Sequence, residues 1–291
     1  MSALPQRRVV RTVTLPPASP GFLGPGHTAV EVLDPEALEQ NDPFILLMDD
    51  RLDLSSEVRK LGGAHPHAGL ETVTLFLEGA VKDRDEGDTV PGDAQWMTAG
   101  RGVIHSENTE VAGRVRILQL WIRLPKAARS VPPRVQLIKR STMPIRREPG
   151  VEARVYSGAS GVAVSQTKNY AQATIIDFSL EHGASLAQEL PSSYSGFLYV
   201  LEGTLIVGEE RWHLNAGQVG SLNRPEPGGP SALRLEGGEG GARVVLYSGE
   251  PQREPLVHHG PFVAGSREEL VQLFTAYRES RFERLSGLVP E

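Results

Sequence analysis

Residues 62–79 read GGAHPHAGLETVTLFLEG, and this stretch decides the fold expected for the 291-residue chain. Residues 71–78 are rich in Val, Thr, Leu and Phe, as a β-strand requires, and Gly79 ends the run with a turn. Just before this run, His65 and His67 stand two positions apart. Side chains at i and i+2 of a strand point to the same face, so the two imidazoles would project together.

A second pair of metal-binding side chains, His105 and Glu107, also has the i, i+2 spacing. It follows PGDAQWMTAGRG at residues 91–102, where Pro and Gly predict turns on both sides of a short strand. A single His-x-His is more often a solvated or hydrogen-bonded pair than a ligand pair. Two such pairs on facing strands would offer three imidazoles and a carboxylate to one ion. We therefore predict a transition-metal site at His65, His67, His105 and Glu107.

Length and composition indicate a mainly β protein of two domains. A chain of 291 residues is too long for one small barrel, and 39% hydrophobic residues suffice for well-filled cores. With 31 Gly, 22 Pro and only 6% aromatic residues, the chain is rich in turns, as a fold of many short strands requires.

The domain boundary is predicted in the Pro-rich, basic stretch at residues 131–150, which gives domains 1–140 and 141–291. The sequence LEG occurs at residues 77–79 and again at 201–203, with strand-like runs on both sides each time, which indicates an internal repeat of one barrel. By the same offset His65 and His67 correspond to Glu189 and Pro191. The second barrel is therefore expected to hold no metal.

The C-terminal part of the chain adds a helix. Ser266 and Glu269 form a capping-box pattern, and an apolar stripe at i, i+3, i+4 and i+7 is expected to pack against a barrel; it consists of Leu270, Leu273, Phe274 and Tyr277. The glycine-rich run EGGEGG at residues 236–241 is not followed by the lysine of a phosphate-binding loop. It is interpreted as a flexible hairpin turn.

Charge and cysteine content exclude several functions. The net charge is −6 and no long Lys/Arg block is present, so direct binding to nucleic acid or to an anionic membrane is not expected. The absence of cysteine excludes thiolate catalysis and disulfides. No segment has the length and apolarity of a signal peptide core or a membrane span, so a cytoplasmic protein is expected.

Four segments of the chain resemble, in order, the signature segments of the pirin family, which are iron-binding proteins made of two cupin barrels. They are residues 62–79, PGDAQWMTAGRGVIHSE at 91–107, QLWIRLP at 119–125 and EPLVHHGPFV at 254–263. The resemblance implies two cupin (jelly-roll) β-barrels in tandem, with a short C-terminal helix. It also implies that the carboxylate ligand is Glu107.

The activity that the resemblance implies is dioxygenation of quercetin, with opening of its central ring and release of carbon monoxide. The partners would be a small aromatic molecule and O2. Four protein ligands leave two positions of an octahedral ion open, and their donor types suit Fe(II), although Mn, Co, Ni, Cu and Zn are also compatible. Glu107 would accept the proton of the substrate's 3-hydroxyl, because a metal ion acidifies a hydroxyl bound to it.

Some positions depart from the family pattern. Ala68 replaces the usual arginine beside the second histidine, Leu75 replaces an aromatic residue, and Arg123 stands where the family has asparagine. These changes preserve the ligands but bear on the substrate. Strand alternation would place Glu71 on the same face as His67; we interpret it as a residue that supports the ligands or is buried for structural reasons.

Two other classes of function remain open at the level of sequence. One is a non-catalytic regulator in which the oxidation state of iron changes binding to a protein partner. The other is a scaffold whose metal only cross-links strands, but a closed structural site would not leave coordination positions vacant. A pocket for a three-ring molecule beside His105 would favour the enzyme.

Overall fold

The predicted mainly β class is confirmed. The computed structural model describes residues 4–34, 36–54, 59–61, 63–83, 87–106, 109–225 and 228–285. In the first half these residues form β1 (Val9–Thr14), β2 (Ser19–Pro20), β3 (His27–Glu31), α1 (Leu38–Asn41), β4 (Phe44–Asp53), β5 (Arg59–Leu61), β6 (Ala64–His67), β7 (Leu70–Glu78), β8 (Val81–Asp83), β9 (Ala94–Thr98), β10 (Val103–Ser106), β11 (Thr109–Val111), β12 (Arg114–Arg123), a 3-10 turn (Lys126–Ala128) and β13 (Arg134–Ile138).

The second half continues with strands and ends with a helix and one short strand. Its elements are β14 (Ile145–Glu148), β15 (Val151–Ser157), β16 (Ala159–Ser160), β17 (Ala163–Val164), β18 (Ala173–Leu180), β19 (Ser185–Pro191), β20 (Ser195–Val207), β21 (Trp212–Asn215), β22 (Gln218–Leu222), β23 (Pro230–Gly249), β24 (Val257–His259), β25 (Phe262–Ala264), α2 (Arg267–Arg278) and β26 (Glu283–Arg284). No helix among the described residues is long and apolar enough to cross a membrane.

The chain divides into two compact units, and they differ from the predicted domains 1–140 and 141–291 at both ends. Residues Pro17–Thr142 join Gln252–Glu291 in one unit, whereas Met1–Pro16 join Met143–Pro251 in the other. The unit with the histidine motifs is called the first unit, and the other is called the second unit. Strand pairing explains the difference from the predicted domains, because β1 pairs with β22 of the second unit and β26 pairs with β10 of the first.

The first unit contains one large sheet, two three-stranded sheets and the two-stranded sheet β24-β25. The large sheet has the order β13-β9-β7-β12-β4-β3-β2, and the three-stranded sheets are β26-β10-β6 and β5-β11-β8. Leu70 of the large sheet lies in one apolar cluster with Val103 of β10, so these two sheets pack face to face. The two histidine-bearing strands therefore face the large sheet.

The second unit is built on one nine-stranded sheet, in which β20, β23 and β18 are central. One core cluster of this unit consists of aliphatic side chains together with Phe178. The run EGGEGG lies within β23, so its interpretation as a flexible turn was wrong. The strand passes so close to a neighbouring segment that a Cβ on Gly237 would lie 2.2 Å from the carbonyl oxygen of Glu181.

The repeated LEG turns have the same backbone conformation in both units. Gly79 has a φ of +75° and Gly203 a φ of +70°. At each glycine a Cβ would lie 2.1 Å from a carbonyl oxygen of an adjacent strand, that of Arg114 or that of Gly241. Only glycine fits such a position, which explains why the motif is repeated.

The predicted C-terminal helix is confirmed as α2. Ser266 is its N-cap, and its hydroxyl accepts a hydrogen bond from the backbone N–H of Glu269 at 3.2 Å. The predicted stripe packs as expected, because Leu270, Leu273 and Phe274 contact a cluster that includes Phe262 of the first unit. The helix thus belongs to the unit that contains the histidines.

Candidate metal centre

Three histidines converge between β6 and β10. The strands are antiparallel, with His65 opposite His105 and His67 opposite Val103. The predicted spacing is therefore realised: His65 and His67 share a face of β6, and His105 extends from the neighbouring strand. Their candidate ligand atoms all lie within 4.8 Å of one another. This group could hold a metal ion.

Hydrogen bonding fixes the tautomer of His65. Its Nδ1 donates to the carbonyl oxygen of Gly63 at 2.8 Å, so the neutral ring carries its proton on Nδ1 and presents a lone pair at Nε2. That Nε2 lies 2.8 Å from Nε2 of His105. Two nitrogens bound about 2.1 Å from one ion at a right angle would be about 3 Å apart. The pair thus fits adjacent positions around one ion.

His67 is the most deeply buried of the three. Its side chain is 3% exposed, and its Nδ1 has no hydrogen-bond partner among the described residues. Burial, and next the nearby His105 and His65, hold the pKa of His67 well below its ordinary value of 6.5. The imidazole is consequently neutral at physiological pH, which is the form that binds metals. The residues present therefore fit a transition-metal ion.

The fourth predicted ligand, Glu107, lies outside the described residues. β10 ends at Ser106, one position before it. Its roles as ligand and as proton acceptor stay predictions.

Glu71 does not join the histidines, and the alternation argument that placed it on their face was wrong. Its side chain is fully buried and accepts a hydrogen bond from Oγ1 of Thr98 at 2.7 Å. The neighbouring Leu70 packs in the cluster that includes Trp121, whose ring contacts His67, so Glu71 points to the opposite face of the strand. Gly69, with a φ of +76°, interrupts the strand and resets the alternation.

Trp121 is a site residue that sequence reasoning missed. Its ring meets His67 edge to face, with centroids 5.1 Å apart and an interplanar angle of 85°. Alternation along β12 places Trp121 on the same face as Gln119, which is the signal in QLWIRLP that could have found it. The indole closes one side of the histidine cluster and is itself only partly buried.

The C-terminal segment supports the histidine strands from the other side. β26 pairs in parallel with β10, with Val103 opposite Glu283. Ala68, next to His67, forms a bridge with Phe262. Sequence reasoning missed both contacts, because partners so far apart along the chain share no local pattern. Val103 of β10 packs with the large sheet, and Ile104 packs in the cluster of Phe262 and Phe282 on the other face.

Comparison with known proteins gives two family matches. Residues 27–122 match the family model described as Pirin, and residues 175–283 match the one described as Pirin C-terminal cupin domain. The first match contains the three histidines. The two tandem cupin barrels expected from the resemblance are thereby confirmed as the fold class.

Individual relatives span nearly the whole chain. "Putative quercetin 2,3-dioxygenase PA2418" of Pseudomonas aeruginosa is 34% identical over 277 residues, which cover 90% of this chain and 94% of the relative. Pirin of Mus musculus is 32% identical over 258 residues, covering 84% of each chain. A crystal structure of quercetin 2,3-dioxygenase from Acinetobacter baumannii is 25% identical and aligns with a TM-score of 0.83, covering 95% of this chain and 98% of the other.

Proposed function

The chain belongs to the pirin family, and from that premise we propose that its first unit is a metal-dependent dioxygenase of flavonol-like substrates. The observation that carries the proposal is the convergence of His65, His67 and His105, with the Nε2 atoms of His65 and His105 at 2.8 Å. The relatives named as quercetin 2,3-dioxygenases support the choice of substrate class.

We assign His65, His67, His105 and Glu107 as the ligands and Fe(II) as the ion. Imidazole and carboxylate donors suit Fe(II), and they also accept Mn, Co, Ni, Cu and Zn. When bound, the ion would pass electron density from the substrate to O2 and acidify the substrate's hydroxyl. The net reaction would convert a flavonol and O2 into a ring-opened ester and carbon monoxide.

The chain's own residues would position the reactants and move one proton. His65, fixed by its bond to Gly63, presents Nε2 without rotation of the ring. Glu107 would accept the proton of the flavonol's 3-hydroxyl and hold it near the site. Trp121, packed against His67, would exclude water from one side of the cluster.

A second candidate function is an iron-dependent regulator that acts through a protein partner. One observation favours it: β10, which carries His105, pairs directly with β26, and β26 follows α2. α2 exposes Val271, whose side chain is 63% accessible. If oxidation of the ion shifted β10, the paired strand β26 would move with it, and the shift would reach the exposed surface of α2.

Oxygen uptake tests the proposed function. Protein loaded anaerobically with Fe(II) is mixed with quercetin and O2, and both consumption of O2 and release of carbon monoxide are measured. Uptake that depends on quercetin is expected in the wild type and in His213→Ala, which removes an exposed histidine of the second unit. It should be lost in His105→Ala. Protein with stoichiometric iron and no uptake would refute the dioxygenase and favour the regulator.

A further inference from the structure

Four side chains form a row across the large sheet of the first unit. Gln119 of β12 lies opposite Met48 of β4 and opposite Thr74 of β7, and Thr74 lies opposite Gln95 of β9. We call these four residues, of which Gln119, Thr74 and Gln95 are polar, the polar row. Adjacent strands are about 4.8 Å apart, so the row is about 14 Å long. This length is comparable to that of a three-ring aromatic molecule.

The polar row lies on the face of the sheet that carries the histidine site. Trp121 stands two residues from Gln119 on the same strand, so the two share a face about 7 Å apart. Trp121 contacts His67. A molecule that extends from the histidines past Trp121 would therefore reach the polar row.

Three of the four members of the row are partly accessible and Gln95 is buried, whereas the opposite face of the same strands is closed. Met48, Thr74 and Gln119 are each partly exposed. Their neighbours on the other face, Val73 and Leu118, are completely buried. The partial exposure of Met48, Thr74 and Gln119 means that solvent reaches this face of the sheet, and a small molecule that replaces this solvent would meet the same side chains.

Thr74 sets the orientation of the Gln119 amide. Its hydroxyl donates to Oε1 of Gln119 at 2.6 Å, which leaves Nε2 as the free end of the amide. Nε2 has no hydrogen-bond partner among the described residues. Gln119 thus presents a donor to whatever occupies this face.

The charge of this face selects against anionic ligands. The polar row contains no charged side chain, and neither does the neighbouring row of Leu46, Trp121, Thr72 and Met97. The acidic residue next along the face, Asp50, is already paired with His27 through an Oδ1 to Nε2 contact of 2.8 Å. Glu31 lies opposite Met48 at the end of the row. The cation two residues from Trp121 on the same face, Arg123, is already bound by Asp42 at 3.6 Å and by the carbonyl oxygens of Glu254 and Pro255. A carboxylate or phosphate at the row would meet the acidic side chain of Glu31, whereas a neutral hydroxyl or carbonyl oxygen would find an amide donor.

We propose that Gln119, held by Thr74, is a specificity-determining residue that donates a hydrogen bond from Nε2 to a substrate oxygen remote from the metal. A substrate held in this way would lie across Trp121, with the oxygen that Gln119 binds on the side away from the metal. This inference rests on the proposed function, since it deepens the specificity of the same site.

Two flavonols and one substitution test the inference. Quercetin and 3-hydroxyflavone share the group that would bind the metal, but only quercetin has hydroxyls on its outer rings. Dissociation constants are measured by absorbance titration of the anaerobic Fe(II)-loaded protein, and KM and kcat by oxygen uptake. Gln119→Leu should weaken quercetin binding about five- to tenfold and raise its KM equally, because one hydrogen bond to a neutral group is lost. Binding of 3-hydroxyflavone should change by less than about twofold.

If Gln119→Leu does not fold, two variants of Thr74 still test the inference. Thr74→Val removes the hydroxyl that orients the amide, and Thr74→Ser retains it. Thr74→Val should lose most of the preference for quercetin over 3-hydroxyflavone, and Thr74→Ser should keep it. Iron content and melting temperature are checked in every variant.

The outcomes separate this inference from the proposed function. Equal weakening of both flavonols, no weakening of either, or failure of the wild type to bind either would overturn the role of Gln119. Binding of quercetin without oxygen uptake would overturn the dioxygenase instead, and the binding constants alone would still decide the inference.

Discussion

His65 and His105 lie directly opposite each other on antiparallel strands, and their Nε2 atoms are 2.8 Å apart. Because Nδ1 of His65 donates to Gly63, the neutral form of that ring carries its lone pair on Nε2. The residues on these two strands are thus arranged for a metal ion before one binds. Much of the entropic cost of assembling the site is met during folding.

Metal binding should stabilise the first unit. An ion present at 100 times its dissociation constant would add about 2.7 kcal/mol to the free energy of unfolding. Differential scanning calorimetry with and without Fe(II) or Ni(II) should show a higher melting temperature in the wild type and no shift in His105→Ala. A shift of unchanged size in His105→Ala would contradict the assignment of the ligands.

Gly69→Ala should destabilise the first unit strongly. A Cβ at Gly69, where φ is +76°, would lie 1.9 Å from the carbonyl oxygen of Val263, so the backbone next to His67 would have to move. We expect a loss of about 3 kcal/mol or more, together with weaker metal binding. Gly24→Ala is the control, because its φ is +90° and no atom lies within 4 Å of its Cβ position. It should cost only about 1–2 kcal/mol.

The sequence predicted the histidine cluster because the information is local. Two ligand pairs at i, i+2 spacing need only two strands and their pairing, and β6 and β10 provide both. Glu71 shows where such reasoning fails. Alternation counts positions along one uninterrupted strand, but Gly69 separates β6 from β7 and reverses which residues face the site.

The exchange of chain ends between the units could not be predicted from local patterns. β26 has only two residues, and its partner β10 lies about 180 positions earlier in the chain. Nothing in the sequence of Glu283 and Arg284 indicates a strand. Their position depends on Phe282, which packs against Gly102, and on the ion pair between Arg101 and Glu283. These contacts form only when the chain folds, so no local sequence pattern indicates them.

Phe282→Ala should weaken metal binding although Phe282 is not itself a ligand. Its ring fills the position that a Cβ on Gly102 would occupy, three residues before His105. Removing a buried aromatic ring leaves a cavity, costs about 3 kcal/mol or more and loosens β10. We expect about tenfold weaker Ni(II) affinity by titration calorimetry. Val271→Ala, a change at an exposed position of α2, should leave the affinity unchanged; equal effects of the two variants would refute this role of Phe282.

Acid should destabilise the metal-free protein through His67. Burial holds the pKa of His67 well below 6.5 in the folded state, whereas the unfolded chain titrates near 6.5. Below that pH the unfolded state binds more protons, so stability rises with pH in this window and is lost as pH falls. In the presence of a chelator, the melting temperature of the wild-type protein should fall as the pH is lowered from 7.5 to 5.5. His67→Asn should show a smaller drop, and His213→Ala the same drop as the wild type.

Arg7→Met should destabilise the second unit and spare the metal centre. The guanidinium is completely buried, donates to Oγ of Ser231 at 2.8 Å and also reaches the carbonyl oxygens of Pro191, Tyr194 and Asn223. Burial lowers its pKa to about 10, which still leaves it charged. Methionine would remove all of these donated hydrogen bonds from the interior and leave the Pro191 carbonyl oxygen with the Tyr194 N–H, at a cost of about 3 kcal/mol.

Arg8→Ala is the matched control for this prediction. Arg8 is exposed, and its ion pair with Glu210 at 3.2 Å contributes at most about 0.5 kcal/mol at such a surface. Urea unfolding should therefore separate the two variants clearly, while both bind Ni(II) as the wild type does. This follows because the three histidines belong to the other unit. Loss of metal binding in Arg7→Met at a temperature where the chain stays folded would show that the two units are energetically coupled, contrary to the prediction.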